Sequence, residues 1–238
     1  MTEPAQPTAY APVATLDETS RGDFIVAVYQ HLVGAVAAFI VFSALLITTG
    51  ISERIYDFVA GNGAAWLLIL GAFMIGNWFV SQAAADLLDP SRQYAALFGM
   101  AALEALIFAP FLHYFFEVES EGATTVAAAA IVSVMGFAWL SIVAFITSRD
   151  LSFLRPMVMF GFVAALVLIV AAVLFGLSLG VWFSVAMITL AGMAILYQTQ
   201  TIMRQYPPEA TVAGSLALFG SLMTMFWYVL RLMGQLRG

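Results

Sequence analysis

ILYQTQTIMRQYPPEA, residues 195–210, is where a long apolar run gives way to polar residues. The run begins at residue 181 and carries no charge before Arg204. It is long enough to cross a bilayer as a helix, which takes about 20 apolar residues. Gln198, Thr199, Gln200 and Thr201 sit close to its end. An amide in hydrocarbon is costly unless it finds a hydrogen-bond partner, so these side chains predict polar partners elsewhere in the molecule.

The rest of the chain has the same character. Its apolar fraction is 63% and its charged fraction 9%, against roughly 45–50% and 25% in soluble domains. So few charges cannot cover the surface of a soluble protein of this size, which makes this a polytopic membrane protein. Windows at residues 24–49, 65–85, 94–116, 124–147, 156–177, 181–203 and 211–233 each suit a spanning helix. Residues 1–23 contain three Pro, four acids and one Arg and read as a disordered cytoplasmic tail, without the basic start of a signal peptide. Residues 24–238 then form one seven-helix transmembrane domain. The fold class is all-α.

All eight cations are Arg, there is no Cys, and the net charge is −6. No disulfide or thiolate chemistry is available, and nucleic acid is not an expected partner. With the N-terminus cytoplasmic, Arg21, Arg92, Arg149, Arg155 and Arg204 lie inside, and Arg54, Arg231 and Arg237 outside. The acidic stretch Glu117, Glu119 and Glu121 also falls outside. This Arg excess predicts N-inside, C-outside.

Glu104, in the middle of the third span, is the carboxyl placed deep in a window. Intramembrane acids are functional by default, and the competing reading is a neutral Glu hydrogen-bonded to a neighbouring helix. Pro110, six residues on, removes a helical hydrogen bond and predicts a kink. Ser221, Thr224 and Tyr228 share one face of the last span. Such a stripe suits either helix packing or a conduction path. GLSLG, residues 176–180, has the G-x-S-x-G pattern, but lies between two spans, and both histidines precede Ser178. The pattern needs a strand–turn–helix context and a later His, so the chain is not read as an enzyme and has no catalytic residue. His31 and His113 lack partners at metal-ligand spacing, and the acidic stretch lacks a calcium-loop pattern. Asp86 and Asp89 read as loop charges. No metal or cofactor is expected.

SRDLSFLRP, residues 148–156, separates the fourth and fifth spans. With FIVAVYQHLVGAVAAF (24–39), EALIFAPFL (104–112), AILYQTQTI (194–202) and SLALFGSLMTMFWYVLRLM (215–233), it resembles the Bax inhibitor-1 family over residues 24–237. The resemblance implies seven helices with the last one central and six packed around it. It implies a Ca²⁺ or cation leak, or a membrane stress-regulatory role, in the bacterial inner membrane. In leak-forming members an acidic pair on the sixth and seventh helices shares a proton. Those positions here are Gln198 and Ser221, which do not ionise, and the arginine that partners the pair has no clear counterpart in AAADLLDPSR, residues 83–92. The resemblance is nearest to a bacterial subgroup associated with a membrane-anchored AAA protease. That implies the alternative of a modulator or substrate of a protease complex, without ion transport. The expected pathway or gating residues are Glu104, Gln198, Ser221, Thr224 and Tyr228, and the expected partners are the lipid bilayer, Ca²⁺ or H⁺, and the protease complex.

Overall fold

In a computed structural model, which describes residues 11–62 and 64–237, the chain is helical almost throughout. Eight α-helices follow in order among the described residues: α1 (Glu18–Thr48), α2 (Ile51–Gly61), α3 (Ala65–Ala84), α4 (Pro90–His113), α5 (Gly122–Ile146), α6 (Leu154–Phe175), α7 (Val181–Gln205) and α8 (Thr211–Arg237). All but α2 are long and apolar enough to cross a membrane. The protein is a multi-pass, all-α membrane protein.

Local chemistry sets the helix ends. Asp17 caps α1 by accepting from the Ser20 N–H at 3.1 Å. Asp89 caps α4 by accepting from the Ser91 N–H at 2.9 Å, with Pro90 in the first turn where its missing donor costs nothing. α6 ends on Gly176 in the left-handed region, φ 65°, which a residue without a Cβ enters freely. Helix α4 runs through Pro110 and then widens into a π-helical turn, Tyr114–Val118. There the Glu119 N–H donates to the Tyr114 carbonyl at 3.0 Å. Gly122 follows because a Cβ at that position would run into the Phe115 carbonyl.

Helix α8 is central. It packs directly on α1, α3, α4, α5 and α7. Around Phe108 of α4, the rings of Phe39, Phe226 and Trp227 stand at 4.9–5.3 Å between centroids, and Phe219 and Leu230 of α8 are wholly buried beside them. Large apolar side chains such as Leu68, Met135, Phe160 and Trp182 point outward, as a surface bathed in lipid requires. The ring around α8 is uneven. Helix α6 lies along α7 and has no extended backbone packing with α3, α4 or α8. Its tie to α8 is a small side-chain cluster that holds Ala165, Met187, Leu190 and Tyr228.

Two features depart from expectation. Helix α2 was not predicted. The expectation of a disordered tail is corrected for residues 11–23. Val13 sits in a single 3-10 turn with no exposed surface, its N–H donates to the Tyr206 carbonyl at 2.8 Å, and α1 starts at Glu18. An apolar residue that finds a packed slot outweighs the polar composition around it. Residues 1–10 lie outside the described residues.

Candidate functional site: a passage beside the central helix

The amides that close the sixth span each find a partner. Ser221 of α8 donates its hydroxyl to Gln198 Oε1 at 2.7 Å. Gln200 is buried and clasps the α5–α6 connection: the Leu151 N–H donates to its Oε1 at 2.7 Å, and its Nε2 donates to the Arg149 carbonyl at 2.8 Å. Thr201 returns its hydroxyl to the Tyr197 carbonyl at 2.9 Å. Thr199 is buried and its hydroxyl has no partner among the described residues.

Beside α8 the loose seating of α6 leaves open space. One cavity of about 1020 Å³ lies between α3, α4, α6 and α8, toward the ends marked by Tyr56, Leu179 and Gln235. A second, about 590 Å³, lies toward Ala84, Tyr206 and Ala213. Both are lined by Phe73, Glu104, Phe162 and Thr224, so they adjoin at those four side chains, which form the neck between them. Along α8 the lining runs from Ala213 to Gln235. At 1.5 Å per residue that is about 33 Å, the thickness of a bilayer's hydrocarbon core.

All five side chains singled out in the sequence face this passage. Gln198 and Ser221 line the second cavity, Tyr228 the first, and Glu104 and Thr224 both. Thr224 gives its hydroxyl to the Gly220 carbonyl at 2.8 Å. Glu104 is 6% exposed, and its carboxyl has no hydrogen-bond partner among the described residues. The helix-to-helix hydrogen bond weighed for Glu104 in the sequence is therefore not made; the carboxyl opens onto the neck instead.

The chain matches the family model described as Inhibitor of apoptosis-promoting Bax1 over residues 21–238. It belongs to the Bax inhibitor-1 family. No curated protein sequence matches it.

The other residues weighed in this Bax inhibitor-1 family chain do local work. His31 bridges the Ala27 carbonyl at 2.7 Å and the Tyr94 hydroxyl at 3.1 Å, joining α1 to α4. His113 packs its ring 5.1 Å from that of Tyr56. Arg92 pairs with Asp86 at 3.0 Å and Asp89 at 3.4 Å, and Glu121 pairs with Arg237 at 3.2 Å. Among the described residues no three His, Asp or Glu side chains gather as a metal site would need. Ser178 sits in the connection between α6 and α7. In the opposite connection, the Ser152 N–H and hydroxyl donate to Asp150 and hold its carboxyl below the usual range.

Sequence reasoning missed Phe73 and Phe162 at the neck, because single Phe residues in apolar spans carry no signal. It also passed over Arg231, read as an outside charge. Arg231 donates to the Leu179 carbonyl at 2.8 Å, sits 5.7 Å from the Phe183 ring, and lines the first cavity.

Proposed function

We propose that this protein is a cation leak, passing Ca²⁺ or H⁺ along the two adjoining cavities of the bundle, with Glu104 as the ionisable group on the path. The observation that carries this is the shared neck: a carboxyl with no hydrogen-bond partner among the described residues stands between two cavities that together run about the thickness of a bilayer. In this reading the chain is a conduit and not a catalyst, and its leak sets how far an ion gradient can build under membrane stress. It sits in a bacterial inner membrane with the N-terminus cytoplasmic, following the Arg distribution. The Gln198–Ser221 contact is a neutral tie in the wall of the inner cavity, in place of a titrating pair. The alternative, a modulator or substrate of a membrane AAA protease complex, is less well supported. A protease of that kind grips an unstructured end, and among the described residues the chain is already tied to the bundle at Val13 and helical from Glu18.

Once ionised, a carboxylate about 5 Å from a passing monovalent cation attracts it by roughly 3 kcal/mol at an effective dielectric constant near 20. Replacing Glu104 by Gln should therefore reduce flux by at least about tenfold. The measurement is Ca²⁺ and H⁺ flux from liposomes holding wild type or Glu104→Gln. Wild-type flux no higher than that of empty liposomes ends the proposal.

A further inference from the structure

The outer cavity has a chemistry of its own. Its trough is apolar, lined by Leu166 and Ile169 of α6, Phe108 and Phe111 of α4, and Leu70 of α3. It is open where α6 stands away from α3 and α4, on a surface that is otherwise lipid-facing. At 1020 Å³ it is at the upper end of the range for small-molecule sites. At one end stands Arg231, about 9 Å along α8 from Arg237 at the helix terminus. Arg231 is half-buried and has no carboxylate within ion-pair distance among the described residues. One of its five N–H donors goes to Leu179, and the others remain to bind an anion. Two hydroxyls stand with it on the cavity wall. Tyr228 is 7% exposed and its phenol has no hydrogen-bond partner among the described residues. Ser178, at the centre of GLSLG, is likewise uncommitted and lines the same cavity.

We infer that the outer cavity binds an acidic phospholipid, with its phosphate on Arg231, Tyr228 and Ser178 and its acyl chains in the trough between α3 and α6. A half-buried guanidinium without an anion is costly, and a phosphate relieves it through charge-assisted hydrogen bonds of matching geometry. The lateral opening admits two acyl chains from the bilayer without exposing them to water. The volume favours a two-chain lipid over a single-chain fatty acid. The chain's net charge is −6, so any preference for an acidic lipid must come from a local site and not from general attraction. The trough is also the outer half of the proposed leak path, so a seated lipid closes that path; the lipid test reads no flux, and either proposal can fail alone.

The test exchanges full-length protein in mild detergent with an equimolar mixture of phosphatidylglycerol and phosphatidylcholine, then measures the lipid retained after gel filtration. Wild type should hold phosphatidylglycerol at least about tenfold over phosphatidylcholine, and Arg231→Gln should lose about tenfold of that preference. Arg231→Lys, which keeps the charge without the fork, should fall between them. Tyr228→Phe, which loses a donor to the phosphate common to both lipids, should lower retention of both about tenfold, roughly one hydrogen bond to a charged group. Ile169→Trp, which fills the trough, should lower retention of both lipids. These last two keep the test open if Arg231→Gln does not fold. Equal retention of the two lipids by wild type, or an unchanged preference in folded Arg231→Gln, overturns the inference. So does displacement of the phospholipid by an equal concentration of oleate, which would mark a fatty-acid site, or by inorganic phosphate, which would mark a site for the free anion.

Discussion

The contact between Ser221 and Gln198 can be turned into a charge sensor, and the change can be sized in advance. The two side-chain oxygens are 2.7 Å apart. In Gln198→Asp the Ser221 hydroxyl still has a carboxylate to donate to. In Ser221→Asp the Gln198 amide can turn its N–H₂ toward the new acid. Each single change keeps a favourable contact. The double change removes both donors and sets two carboxylates about 4 Å apart, where they repel by about 4 kcal/mol at an effective dielectric constant near 20. Such a pair avoids the cost by keeping one proton between its members. Unfolding free energies in detergent micelles, measured for wild type, both singles and the double, give the coupling directly. At pH 8 the double should be about 2–4 kcal/mol less stable than the singles predict by addition. Near pH 5, where a proton is shared, most of that deficit should disappear. Wild type should show no pH-dependent contribution from this contact. Additive effects at pH 8, with no change on acidification, would mean that the two side chains do not face one another as described.

Two further outcomes follow from buried contacts. Gln200→Leu leaves the Leu151 N–H and the Arg149 carbonyl without their partner, and should cost about 2–4 kcal/mol of unfolding free energy; a loss under 1 kcal/mol would place the clasp in water. Gly122→Ala drives a Cβ into the Phe115 carbonyl and should destabilise by about 2 kcal/mol or more, whereas Gly34→Ala, with open space around it, should be neutral or stabilising by up to about 1 kcal/mol. Thermal melts of the two alanine variants side by side decide it.

Much of this architecture was legible because bilayer thickness imposes a length on each apolar run. The seven windows fall on α1 and α3–α8, though the run at residues 24–49 begins well inside α1, which starts at Glu18. Helix α2 escaped the same search because eleven residues cannot span. Its signal was present at a shorter period: Ile51, Ile55, Phe58 and Val59 recur with helical spacing, with Glu53, Arg54 and Asp57 between them. The depth of Glu104 was plain from its position in the run. What surrounds it was not, because the neck is made by one Phe on α3 and one on α6, and which apolar residue faces a void depends on how helices seat. Val13 is the extreme case, set with Leu16 in a short stretch, APVATL, too brief for a periodicity to mark it. Arg231 was counted as a charge for orientation, and counting says nothing about whether a cation has an anion.

The fastening of Val13 to Tyr206 also constrains the order of assembly. Val13 leaves the ribosome ahead of every span, and Tyr206 follows after six of the seven spans have been made. A contact across that much chain cannot form early, since its loop closes only after every intervening span has been laid down. The strap thus waits in the open while the first six spans are inserted and closes when the connection ahead of α8 arrives. Its closure marks a chain whose sixth span is complete, and any chain arrested before the last turn of α7 must leave the Val13 N–H without the Tyr206 carbonyl.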